Sequence, residues 1–153
     1  PDAKLGWVQL TATGGHPGND VRHAAVRRWT APRAMTVSIR SKVTHQATPG
    51  DGIRASIFSS SGGLLASTSL HKEVVDMNVD TLTLQPGETI DFIVDINKVL
   101  NSDQYLWEIT LESSPGESWN ATSNFTKDTA EQLDELEQLA QVLLCTNEFL
   151  FVD

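Results

Sequence analysis

Ile90-Asp91-Phe92-Ile93-Val94-Asp95-Ile96 is the stretch that decides the fold class. Ile90, Phe92, Val94 and Ile96 alternate with Asp91, Ile93 and Asp95, the two-residue period of a strand with one buried face. A helix would instead gather its apolar residues three and four apart. Gln85-Pro86-Gly87-Glu88 precedes the stretch and reads as a turn opened by proline. Beyond it, Gln104–Glu112 repeats the pattern, with Tyr105, Trp107, Ile109 and Leu111 on one face.

Working back toward the N-terminus, Val74–Leu84 and Leu64–Leu70 are two further candidate strands, and Ser59–Gly63 is a turn. Ile53, Ala55 and Ile57 alternate with Arg54, Ser56 and Phe58 after the turn Pro49-Gly50-Asp51-Gly52. Met35, Val37 and Ile39 alternate with Thr36, Ser38 and Arg40. Val21–Thr30 and Leu5–Ala12 complete the series, separated by a Gly-rich break over Gly14–Asp20. About eight short strands with no helix between them predict an all-β antiparallel β-sandwich, jelly-roll-like, over residues 1–113.

The pattern changes after Ser113. Residues 114–127 read as a linker. From Asp128, which has Glu131 as a reciprocal capping partner, the period becomes helical. Leu133, Leu136, Leu139, Ala140, Leu143 and Leu144 fall on one face, and acidic residues fall on the other. One C-terminal amphipathic α-helix is expected near 129–145, with an apolar tail after it. Residues 128–153 would pack on the sandwich or on a partner.

The 153 residues bound one domain with an appendage. The one cysteine, Cys145, permits no intrachain disulfide and reads as a buried, inert thiol. Cys-x-x-Cys-His is absent, which excludes haem attachment of that kind. No apolar run reaches 18 residues, so no membrane span is expected. The net charge of −9 is uneven. Residues 1–72 carry nine Lys/Arg against three Asp, giving +6, and residues 73–153 carry two Lys against 17 acids, giving −15. No localised basic stripe stands out, and nucleic acid is set aside as a partner.

Residues 140–153, Ala-Gln-Val-Leu-Leu-Cys-Thr-Asn-Glu-Phe-Leu-Phe-Val-Asp, resemble the C-terminal end of large multidomain proteins of planctomycete-type bacteria. In that family a c-type cytochrome module and two domains of unknown function precede such a terminus. The stretches Gly14–Gly18, Ala24–Pro32, Gly50–Arg54, Pro86–Phe92, Ser102-Asp103 and Trp107 are similar to one sandwich module of the same family, which looks like a carbohydrate-binding module. The resemblance implies that the chain is a piece of a larger exported protein (periplasmic, cell-surface or extracellular) and that the other domains of that protein are partners. It implies a polysaccharide ligand, neutral or acidic.

Sugar rings present apolar C–H faces to which an exposed aromatic ring offers a flat platform. The candidates are Trp7, Trp29, Tyr105, Trp107 and Trp119. Trp7 and Trp107 fall in alternating strand patterns and are expected in the core. Trp119 is expected to staple the tail to the sandwich. Arg27 and Arg28, with Arg22, Arg40 and Arg54, offer bidentate contacts to carboxylate or sulfate. Neighbours on a strand point to opposite faces, so one of Arg27 and Arg28 is expected to pair with an acid such as Asp51, Asp95 or Asp103. The residues singled out for carbohydrate are Trp29, Arg28, Arg27, Tyr105, Trp107 and His16.

Asp51, Asp95 and Asp103, with Asn101, sit in or beside predicted loops, and oxygen-rich loops suit a structural calcium ion. His16, His23, His45 and His71 show no tight metal-ligand spacing. No acid pair, Gly-x-Ser-x-Gly or nucleophile set is recognisable, so no catalytic residue is assigned. Asn120-Ala-Thr and Asn124-Phe-Thr match the glycosylation sequon and are read as chance matches. The expected function is non-catalytic polysaccharide binding. The alternative is a structural docking module without a glycan ligand, and the third reading is a metal-dependent enzyme using the strand histidines.

Overall fold

The computed structural model describes residue 4 and residues 6–114, 116–123 and 125. Alternation dictates what forms: eleven strands in two antiparallel sheets, with no helix among the described residues. In chain order they are β1 (Gln9–Leu10), β2 (Gly14–His16), β3 (Ala25–Thr30), β4 (Met35–His45), β5 (Ile53–Ser59), β6 (Gly63–Leu70), β7 (Glu73–Asp76), β8 (Val79–Leu84), β9 (Thr89–Asp95), β10 (Tyr105–Ser113) and β11 (Glu117–Asn120). The larger sheet has seven strands in the order β1-β2-β10-β4-β7, with β8 also pairing β4 and β11 also pairing β10. The smaller runs β3-β9-β5-β6.

The two sheets bury one face each. Val37, Ile39 and Val43 of β4 and Trp107, Ile109 and Leu111 of β10 line one side of the core. Ile53, Ala55 and Ile57 of β5 and Ile90, Phe92 and Val94 of β9 line the other. Phe92 crosses the gap and meets Trp107 edge-on, ring centroids 5.5 Å apart at 90°. That T-shaped contact suits the quadrupoles of both rings.

Three local features depart from the sequence reading, each for a physical reason. First, Val74–Leu84 is two strands. Ser41, facing inward on β4, donates its hydroxyl to the Met77 carbonyl, and its amide donates to Asn78 Oδ1 at 3.0 Å. The chain breaks at Met77-Asn78 to serve these groups, because buried polar groups must be satisfied. Second, the Gly-rich break contains a strand. A Cβ on Gly14 would lie 2.0 Å from the Tyr105 carbonyl oxygen, and one on Gly15 would lie 2.8 Å from the Tyr105 hydroxyl. Glycine here permits close pairing over Tyr105 rather than a turn. Third, the stretch expected as a linker supplies β11. Trp119 of β11 packs edge-on against Trp29, 5.3 Å between centroids, and Arg33 pairs with Glu117 across the same corner. The expected helix and apolar tail lie outside the described residues.

Candidate functional site

Most arginines are spent on the fold. Arg28 and Asp91 face each other directly across β3 and β9. Arg28 Nε donates to Asp91 Oδ1 at 2.7 Å and Nη2 donates to Oδ2 at 2.8 Å, a bidentate pair. Arg54 and Asp95 form the equivalent cross-strand pair between β5 and β9, with both donors on Oδ2 at 2.9 and 2.8 Å. The pairing expected for one of Arg27 and Arg28 is present, with Asp91 as the acid. Arg27 points the other way, toward the open edge of the sandwich, and donates to the Ala121 and Thr11 carbonyls. Arg40 pairs with Asp80, and Arg22 with Asp20.

The aromatic platform expected from Trp29, Tyr105 and Trp107 is corrected by burial. Trp29 is 2 % exposed, Trp107 4 % and Tyr105 5 %. All three sit on inward positions of central or paired strands, where a sugar ring cannot reach them without opening the core. Burial also pushes the Tyr105 hydroxyl up to about 12, so it stays protonated.

Trp7, expected in the core, is instead 55 % exposed. The segment before β1 carries apolar residues on both parities, and Val8 is partly buried against the core. Gly6 turns the chain with φ 66°, and a Cβ there would collide with the Asn19 side chain. Gln9 stands opposite His16 in the β1–β2 register, so their side chains share a face. Trp7 lies beside His16, with ring centroids 6.4 Å apart. Trp7, Gln9, His16, Leu100, Asn101, Ser102 and Gln104 together line a depression of about 420 Å³ at the β1–β2 edge of the larger sheet.

The floor and rim of this depression are held by a pinned loop. Asp51 accepts from the Val99 amide and from Asn97 Nδ2, both at 3.2 Å. Asp95 Oδ1 accepts from the Asn97 amide at 2.9 Å. His45 accepts from the Lys72 amide on Nδ1 and so carries its proton on Nε2, which donates to the Ser102 carbonyl at 3.0 Å. Ser102 is held at φ 63°, a left-handed conformation unfavourable for a non-glycine residue. Asp103 Oδ2 accepts from the Asn101 amide, while Asp103 Oδ1 is buried with no partner. Desolvation raises the Asp103 carboxyl above the usual carboxylate range. The Asn101 amide and the nearby His16 and His45 oppose that rise, and Asp51 adds to it.

On the rim Ser102 Oγ donates to Asn101 Oδ1 at 3.2 Å, and other polar atoms have no partner among the described residues. His16 donates Nδ1–H to the Pro17 carbonyl at 2.6 Å, leaving Nε2 as an acceptor without a partner among the described residues. The Gln9 and Gln104 amides make no side-chain hydrogen bond there either. Asp51, Asp95 and Asp103, expected as a calcium set, act as loop anchors and a cross-strand pair. Among the described residues no group of three or more His, Cys, Asp or Glu is placed to hold a metal ion. The histidines are dispersed: His71 donates to the Thr48 carbonyl, and His23 contacts Asp20. His45 and His71 lie 5.6 Å apart by ring centroid, each committed to a backbone partner. No helix among the described residues is long and apolar enough to cross a membrane.

Of the residues expected at a glycan site, only His16 lies at this depression. The sequence signal that could have found Trp7 is the pair Gly6 and Gly14-Gly15 around it, since glycines mark close backbone approaches that expose their neighbours. No family model and no curated protein matches the chain.

Proposed function

We propose that this domain binds a polysaccharide without cleaving it, as a non-catalytic module of a larger exported protein, and that the ligand sits in the Trp7 depression. The observation that supports the reading is the exposed Trp7 indole on a pinned edge, beside the Gln9 and Gln104 side chains and the His16 Nε2, which have no hydrogen-bond partner among the described residues. An exposed indole offers a flat apolar platform, and a sugar ring offers both an apolar face and hydroxyls. Gln9, Gln104 and Asn101 would exchange hydrogen bonds with hydroxyls, and His16 Nε2 would accept one. The lining contains no Lys or Arg, and Asp103 lies behind it, which favours a neutral glycan over a sulfated or uronic one.

The test is retention on affinity gels containing neutral and acidic polysaccharides. A neutral polymer should retain the wild-type chain, and Trp7→Ala should abolish retention with circular dichroism unchanged. Retention should be insensitive to added salt. No retention on any polymer, or retention that survives Trp7→Ala, overturns the proposal.

A structural docking module is the second reading. Val26, Phe58 and Leu64 are exposed on the outer face of the smaller sheet, beside the Arg28–Asp91 pair. Such a surface suits contact with another domain of a parent protein.

A further inference from the structure

A second depression of about 420 Å³ lies at the β3 edge of the smaller sheet, across β1 from the first, since Gln9 lines one and Leu10 the other; it is lined in part by Leu10, Thr11, Val26, Arg28, Ala121 and Phe125. Leu10 and Val26 are exposed there, although Leu10 and Val26 are residues that cores ordinarily take. β3 is also the terminal strand of its sheet, with one row of backbone groups facing no strand. The described chain reaches this place and is fixed in it: Phe125 is buried and its ring lies 5.8 Å from that of Phe92.

We propose that this depression is the docking surface for residues 133–144 of the same chain. Three observations converge. The segment begins only eight residues beyond Phe125, a span of at most roughly 26 Å of extended chain, so its tether holds it at this edge. Leu133, Leu136, Leu139, Leu143 and Leu144 recur at helical spacing and supply an apolar stripe that matches the exposed Leu10 and Val26. Residues 126–153 carry seven acids and one Lys, a net −6, while the depression is also lined by Arg27, which donates to the Ala121 and Thr11 carbonyls and forms no ion pair with an acid among the described residues. Charge therefore steers the acidic face of the segment to the same edge that its apolar stripe would cover.

The experiment uses the full chain with a nitroxide label on Gln138→Cys in a Cys145→Ser background. Paramagnetic broadening should fall on the amides of Leu10, Val26 and Thr122 and spare those of β6 and β7 at the far ends of the two sheets. Mixing the labelled chain with an excess of unlabelled isotopically enriched chain should leave the enriched signals sharp. Broadening confined to residues after Phe125 overturns the proposal, and so does broadening that appears on the enriched chain in the mixture, which would make the occupant a second copy. Leu136→Asp with Leu139→Asp provides an independent readout. Amide exchange at Leu10 and Val26 should rise severalfold while exchange in β10 is unchanged; no rise overturns the assignment.

Discussion

Trp107 in the middle of β10 and Trp7 at the β1–β2 edge sit in stretches that look alike in sequence, yet the fold treats them oppositely. Trp107 is flanked by β4 and faces Phe92 across the core. Trp7 stands over a depression in which part of the polar rim has no hydrogen-bond partner among the described residues. At the centre, side chains are fixed because every neighbour is fixed, and close packing leaves no room for a ligand. At the edge, Gly14 and Gly15 bring backbones close, Gly6 makes room for the Asn19 side chain, and one ring is left outside. The outer face of the smaller sheet is a third case, in which charges are exposed but already matched in register. The glycan site proposed for this domain therefore lies where exposure and unmatched polar groups coincide, not where charge or aromatic content is highest.

The largest expected effect tests the centre against the edge. Trp107→Ala should cost about 3–5 kcal/mol, because it removes a ring that fills the middle of the core. Thermal melts should fall by roughly ten degrees. Trp7→Ala should change stability by no more than about 0.5 kcal/mol. Equal melts for the two variants would erase the distinction.

An intermediate effect is expected at Asp103, which lies behind the edge site yet is buried like the centre. Its folded carboxyl titrates above the unfolded value of 3.8. Below the unfolded value the proton is bound in both states. As pH rises from there to the folded value the folded state holds more protons, so stability falls, and above the folded value the penalty is constant. Asp103→Asn should flatten this decline in urea unfolding across the mildly acidic range and should be more stable than wild type at neutral pH. An unchanged slope would assign the burial cost to another group.

The smallest effect is expected on the matched outer face. Arg28→Ala should leave the melting midpoint nearly unchanged, since exposed pairs contribute little. It should also leave glycan retention unchanged, because Arg28 is not among the residues lining the Trp7 depression. Loss of retention would move the site to the Arg28 face.

The strands around Ile90–Ile96, Met35–Ile39 and Tyr105–Leu111 were legible because a long period-2 run with one apolar parity has one solution. β2 and β11 were not. Gly14-Gly15 signals a turn locally, and only the presence of Tyr105 beneath it converts it to a strand. Ser118-Trp119 has too short a pattern to distinguish from a linker, and its pairing with β10 is nonlocal. The basic residues were legible as one structural pair, but the choice of Asp91 over other acids follows from inter-strand register, which no local pattern encodes. The Trp7 site was misread for a related reason: Leu5-Gly6-Trp7-Val8 is apolar on both parities, so alternation cannot say which residue faces in.

The sequence by itself determined the all-β class, the inward faces of the long strands and the separation of charge between the two halves. Each follows from residue type and spacing along one segment. Tertiary structure decided which tryptophan stays outside, which acid each arginine meets and where polar groups are left unmatched. Those outcomes depend on which strands become neighbours and in what register, and burial is a property of the assembled sheets rather than of any residue alone.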